Sequence, residues 1–297
     1  MARSGLARSY VLTQLSIFFP VSCPEPTIEQ AMVIRALGGA VIAGAITAVA
    51  RKTRTLSESG QWAAFFSGIV AAAAGWWWAL TLIVFFVTSA ALTKWRLADK
   101  MRLTEGSLPR ATERNASQVL ANGGVFVLLA FGSAEGARER LAFAALGALA
   151  AAASDTWSTE IGTLFGGTPR MITTGAPVEP GMSGGVTIAG FAAAIAGAAL
   201  IALCGAFAIP DHHKQLAIAA AIGGFGGGLA DSVIGATLQS KRFCDRCRHW
   251  TERRVHVCGF RTRHARGIQW MSNDAVNLCG TVAGAVIAMA ARSLMNR

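Results

Sequence analysis

The run QWAAFFSGIVAAAAGWWWALTLIVFFVTSAALT, residues 61–93, carries no charged side chain, and its reading decides the fold. As one straight helix it would span about 50 Å at 1.5 Å per residue, well beyond the ~30 Å hydrocarbon core of a bilayer. It would also send the basic segments on either side, 51–54 and 94–114, to opposite faces of a membrane. Loops rich in Lys and Arg gather on one face. A hairpin turning near Gly75-Trp76-Trp77-Trp78 satisfies both constraints and sets the tryptophans at the far interface.

Working outward, the chain is 53% hydrophobic and 14% charged, with 33 glycines. Soluble domains carry roughly 25% charged residues. Further uncharged runs cover 115–134, 180–210 and 275–291, each near or above the ~20 residues that cross a bilayer. Abundant Ala and Gly let membrane helices approach closely. The expected fold is all-α, a polytopic integral membrane bundle of about eight spans (seven being possible). They lie near 32–50, 61–75, 77–93, 116–133, 141–164, 184–209, 215–238 and 270–291. The membrane domain covers 31–293, with a cytosolic loop at 240–267. Residues 1–30 form an N-terminal extension, read as disordered or as a misplaced start before Met32. Arg3, Arg8, the apolar 11–19 and Cys23 also resemble a weak signal sequence.

Of 27 Lys and Arg, 18 fall in 51–54, 94–114 and 241–266, all expected on the cytosolic side. The net charge of +11 then describes one face, suited to anionic membrane lipids and phosphorylated substrates. No nucleic-acid partner is expected, because the basic loops contain no recognisable nucleic-acid-binding module.

Acids in this apolar chain mark the site. A charge in hydrocarbon costs a few kcal/mol or more, so such residues face a bundle interior. Asp155 and Glu160 lie towards the inner end of the fifth span, and Asp231 towards that of the seventh. Asn122 on the fourth span and Asn273, Asp274 and Asn277 on the eighth bring amides to the same depth. Asp155, Ser158 and Gly162 share a helix face, while Glu160 points about 140° away. Asp155 with Asp231 or Asp274 is therefore the expected Mg²⁺ pair, leaving Glu160 as a base or the partner of a Lys or Arg. Arg170 and Gly184-Gly185, in a Gly-rich connection, are candidates for phosphoryl oxygens, and Ser232 for substrate or nucleotide. In the last basic loop, Cys244-x-x-Cys247 followed by His256-x-Cys258 has the spacing of a zinc site. Reduced thiols without a metal, or a redox pair, are the other readings.

Together these motifs resemble a known family. Gln118-Val119-Leu120-Ala121-Asn122-Gly123-Gly124, Asp155-Thr156-Trp157 with Glu160-Ile161-Gly162, and Pro169-Arg170-Met171-Ile172-Thr173 are similar to the transmembrane protein 19 family. So are Pro180-Gly181 with Gly184-Gly185-Val186, Asp231-Ser232 with Gly235-Ala236-Thr237, and Asn273-Asp274 with Val276-Asn277. The family includes the plant phytyl-phosphate kinase. The resemblance implies a membrane phosphotransferase that moves a phosphoryl group from a nucleoside triphosphate, CTP, to an isoprenoid lipid phosphate. Asp155, Glu160 and Asp231 would be its catalytic acids and Mg²⁺ its cofactor, at the cytosolic side of a bacterial inner membrane. The competing class is a transporter or lipid translocase whose buried acids bind an ion or proton.

Overall fold

The computed structural model describes residues 27–104, 113–134 and 139–295, so the reading of the N-terminal extension as far as residue 26 lies outside the described residues. Residues 32–297 form one unit, and 1–31 another. The chain runs through α1 (Ile28–Lys52), α2 (Glu58–Ala74), α3 (Trp76–Lys94), the short α4 (Leu97–Leu103), α5 (Ala116–Ser133) and α6 (Glu139–Phe165). After a two-stranded hairpin of β1 (Arg170–Met171) and β2 (Gly185–Val186) come α7 (Ile188–Gly205) and α8 (His213–Thr237). A three-stranded antiparallel sheet of β3 (Lys241–Cys244), β4 (His249–Thr251) and β5 (Arg263–Arg266), ordered β4-β3-β5, precedes α9 (Asn273–Met295). Each expected span meets one long helix. The two small sheets are additions to the all-α reading, built from connections rather than spans.

The turn in the 61–93 run sits at Gly75, whose φ of 156° lies in territory that suits glycine. The hairpin closes: Lys94 at the end of α3 donates a hydrogen bond to the carbonyl of Thr53, just before α2. The Arg114 backbone joins the same end, accepting from Ser57 N (3.1 Å) and donating to Thr55 O (2.9 Å). A Cβ on Gly60 would lie 2.0 Å from Arg114 O, so only glycine allows this approach. At the far end Trp77 packs on Phe207 with ring centroids 5.2 Å apart, and Glu139 there meets Arg292 at 3.1 Å. Exposed Trp76 and Trp77 mark one end, and exposed Trp95 and Trp270 the other. Aromatic belts of this kind sit at the two interfaces of a membrane.

Six segments are long and apolar enough to cross a membrane: α1, α3, α5, α7 with the turn to Ala208, the segment Pro210–Thr237, and α9. Two of the eight expected spans do not meet that measure. Helix α2 is only 17 residues long. Helix α6 carries Asp155 and Glu160, and from Ala142 to Ser154 it is entirely buried against protein. The enclosed stretch is itself wholly apolar as far as Ala153, and it is the polar run that follows, Ser154, Asp155, Thr156, Ser158, Thr159 and Glu160, that sets this helix apart from the spans around it.

Small residues set the spacing of this core. A Cβ on Gly227 of α8 would fall 2.5 Å from Ala151 Cβ on α6 and 2.7 Å from Gly280 O on α9. Helices α6, α8 and α9 therefore touch backbone to backbone, the close packing that membrane bundles use where apolar burial gains little. One helical turn further towards the loop end, the next residues in register are Asp155 on α6 and Asp231 on α8. The packing that stabilises the bundle also delivers the acids to each other.

Candidate active site

The Asp155 and Asp231 side chains lie within hydrogen-bonding reach of each other at the inner edge of a cavity of about 620 Å³. Two carboxyl groups this close need a proton or a cation between them. Asn277, its amide oriented to suit its neighbours, donates to Asp231 Oδ2 (3.3 Å) and Asn273 O (3.0 Å). A Cβ on Gly280, the next residue but two, would stand 3.0 Å from Asp231 Cβ, so α9 has a glycine where Asp231 crosses it. Asp274 accepts from Ser117 Oγ at 2.6 Å, tying α9 to the start of α5. That start is held by a capping box in which Asn115 and Gln118 exchange side-chain-to-backbone bonds.

Of the residues singled out in the sequence, Asn122, Asp155, Ser158, Glu160, Gly162, Gly184, Gly185, Asp231, Ser232, Asn273, Asp274 and Asn277 all line this cavity. Ser158 Oγ and Ser232 Oγ donate to carbonyls of their own helices, Asp155 O and Gly228 O. Gly184, with φ 83°, brings the Gly-rich loop onto α8, where a Cβ would fall 2.5 Å from Ala236 Cβ. Arg170 departs from expectation. It is exposed, donates from Nη1 to Gly175 O (2.9 Å), and is absent from the cavity lining. The β1–β2 hairpin turns it outward, so its cation does not reach the acids.

Glu160 stands apart from the Asp155–Asp231 pair, as its angular position on the helix required. Its Oε2 accepts from Lys100 Nζ at 2.6 Å, and its Oε1 from Thr93 Oγ1 at 3.0 Å. Lys100 is fully buried and also donates to Leu92 O. Of the two readings left open for Glu160, the ion pair describes its surroundings. Arg114 links this cluster to the pair: its Nη2 donates to Thr93 Oγ1 (3.3 Å), and both Glu160 and Asp155 attract its charge. Burial pushes the guanidinium below its ordinary range, while those two carboxylates hold it up.

Sequence reading missed Lys100, Arg114, Arg242, Glu252 and Arg254. All but Lys100 line the cavity. Their charges were counted as topology signal, and only their fold neighbours reveal them. Glu252 is hydrogen-bonded to Ser183 on the Gly-rich loop, and Lys241 Nζ donates to Ser183 O at 3.2 Å. Burial raises the Glu252 carboxyl above its ordinary range, opposed by the Ser183 bond and by Lys241. Arg242 is fixed by Thr262, donating from Nε to Oγ1 (2.8 Å) and from Nη2 to the carbonyl (2.6 Å). The basic β3–β5 loop thus forms one wall of the cavity. Segments 51–54 and 241–266, with the described residues 94–104 and 113–114 of the middle segment, contribute to one end of the bundle, as the hairpin reading required.

A second, apolar groove of about 250 Å³ lies between α1, α2, α3 and α5. Ile42, Ile46, Leu82 and Phe86 line it. It shares Arg114, Gln118 and Asn122 with the polar cavity.

Residues 41–285 match the family described as integral membrane protein DUF92, and the chain belongs to that family. It is 31% identical over 274 residues to Protein PGR of Arabidopsis thaliana, an alignment covering 84% of this chain and 93% of the plant protein. It is 34% identical over 176 residues to an uncharacterized membrane protein of Methanocaldococcus jannaschii, covering 59% of this chain and 61% of the archaeal one. No solved structure matches the chain.

Proposed function

We propose that this member of the DUF92 integral membrane family is an isoprenyl-phosphate kinase of the transmembrane protein 19 type. It would transfer the terminal phosphoryl group of a nucleoside triphosphate, CTP by the resemblance of its motifs, to a lipid monophosphate. One observation carries the reading: a cavity holding the acid pair adjoins an apolar groove, with Arg114, Gln118 and Asn122 lining both. That is the shape of an amphiphile with a charged head and a hydrocarbon tail.

The donor set suits Mg²⁺, a hard cation that takes oxygen ligands and binds proteins through one or two carboxylates plus substrate phosphates. Asp155 and Asp231 would hold it, and it would supply charge neutralisation on the phosphates being transferred. Arg114, at the junction of cavity and groove, is sited to hold the acceptor phosphate. Arg242, Arg254 and the loop at Gly184-Gly185 are sited for the nucleotide. An anionic oxygen of the lipid phosphate forms the new bond to the γ-phosphorus, the β–γ phosphoanhydride P–O bond breaks, and the nucleoside diphosphate leaves with that electron pair. The attacking oxygen carries no proton, so no general base is required. Glu160 engaged with Lys100 agrees with that. Such transfer is mainly positioning and electrostatic stabilisation.

In this reading the cavity opens to the cytosol of a bacterial inner membrane, a view supported by the three basic segments at its end. Translocation has less support, because α6 from Ala142 to Ala153 is at most 2% exposed. Those residues are Ala, Phe, Leu and Gly throughout. The test is purified protein in detergent or vesicles, supplied with Mg²⁺ and each nucleoside triphosphate in turn, with phytyl or geranylgeranyl phosphate as acceptor. Formation of the lipid diphosphate supports the proposal. Absence of product with every nucleotide, together with proton or ion flux in vesicles, would move the assignment to the transporter class.

A further inference from the structure

The basic loop that walls the cavity holds a cluster the transfer reaction does not use. Cys244 ends β3, and Cys247 follows in the turn to β4, where Arg248 has a left-handed φ of 51°. His256 and Cys258 sit on a second tight turn, closed by the Val255–Arg261 bridge and by His256 N donating to Phe260 O at 2.9 Å. Gly259 in that turn has a φ of 80° and also donates its N–H to His256 O. The two turns face each other, and one ligand atom from each of the four residues falls within 4.8 Å of every other.

The spacings favour a metal over a disulfide. Cys244 Sγ and Cys258 Sγ are 3.8 Å apart, and His256 Nδ1 is 3.1 Å from Cys258 Sγ. A disulfide needs about 2.05 Å between its sulfurs. Tetrahedral zinc with Zn–S bonds of ~2.3 Å sets sulfurs about 3.8 Å apart. The three cysteine sulfurs and the histidine nitrogen lie on two turns within 15 residues of chain, so little chain must be ordered to complete the shell. We propose that Cys244, Cys247, His256 and Cys258 bind one structural Zn²⁺ through three thiolates and a ring nitrogen. The ion anchors the β3–β5 sheet that carries Arg242 and Glu252 over the cavity.

The connection to the cavity is short. Cys244 lies two residues beyond Arg242 on the same strand, and His249 on β4 pairs with Cys244 in register. Glu252 follows β4 directly and bonds Ser183, while His249 Nε2 meets Glu179 Oε2 at 3.0 Å, both on the Gly-rich connection. A closed Cys₃His shell has no open position for chemistry, so the ion holds the wall and does not react.

The test measures metal directly, independent of any kinase assay. Protein purified without chelators should contain about one zinc per chain by elemental analysis. Exchange of the zinc for Co²⁺ should give visible d–d bands and a near-ultraviolet thiolate-to-cobalt band of a tetrahedral sulfur-rich site. Cys247→Ser, on an exposed turn, should abolish that spectrum in protein that still elutes as a folded species, and Cys279→Ser, in α9, should leave it intact. Zinc-free protein, or an unchanged cobalt spectrum in Cys247→Ser, overturns the proposal.

Discussion

Asp155 on α6 and Asp231 on α8, 76 positions apart in the chain, face each other one helical turn from the place where Ala151, Gly227 and Gly280 bring three backbones into contact. The small residues fix the helix spacing, and the spacing fixes the acids. Enlarging the contact should therefore harm the site without touching an acid. Gly227→Val places a Cβ 2.5 Å from Ala151 Cβ, and overpacking of this kind costs about 1–3 kcal/mol. The expected outcome is lowered thermal stability together with loss of transfer activity. Activity at the parent level would show that the acids do not depend on this contact.

Lys100 and Glu160 form a buried pair, with side chains 0% and 10% exposed. Removing one member of a buried pair can cost about 3–5 kcal/mol, less where another group shares the charge, as Arg114 does with Glu160. Lys100→Met should lower the melting temperature markedly in detergent. Lys100→Met with Glu160→Gln should recover part of that loss, because Glu160 then no longer carries a buried charge without its lysine, and Asp155 still faces Arg114. Additive losses in the double variant would contradict the pairing.

The shared end of the three basic segments can be read by side-specific labelling. Lys52→Cys, Arg96→Cys and Arg261→Cys should react with an impermeant maleimide from one side of sealed vesicles, and His213→Cys from the other. Labelled peptides are identified by mass spectrometry, which separates them from native Cys247. Residues 52 and 96 on opposite sides would refute the hairpin at Gly75.

Much of this arrangement was legible in the sequence. A glycine before three tryptophans, inside an uncharged run between two basic segments, has few foldings in a bilayer other than a hairpin. Asp155 and Asp231 stood out because a charge in an apolar run needs a reason. Lys100 did not, because a lysine in a basic segment looks like topology signal until its partner is seen. Arg242, Glu252 and Arg254 were hidden likewise, since pairing within β3–β5 and the bond to Ser183 arise from long-range contacts. Arg170 was misjudged because a Gly-rich stretch suggests an anion-binding turn, whereas here it forms a hairpin that directs the arginine outward.

The apolar groove gives a substrate-length prediction. Gly123 lines it beside Asn122, and a Cβ there meets only Leu82 Cδ1 at 3.8 Å, so a larger side chain is accommodated by filling the groove. Gly123→Val should raise KM for geranylgeranyl phosphate by about tenfold, the ~1.4 kcal/mol of displacing one to two buried methylenes. KM for a five-carbon prenyl phosphate should change little. An equal loss for both lengths would mean that the tail lies elsewhere.

The central claim is that Asp155 and Asp231 act as a metal-dependent pair in phosphoryl transfer. Its most direct measurement is the initial rate of Mg²⁺-dependent diphosphate formation in Asp155→Asn and Asp231→Asn, beside the parent protein, at matched folded concentration. Each change keeps the size and much of the hydrogen bonding while deleting a charge that the cation requires. The account predicts that both variants remain inserted and folded and that each loses at least about a hundredfold in rate, the scale of removing one transition-state electrostatic contact. Parent-level rates in both variants would contradict it.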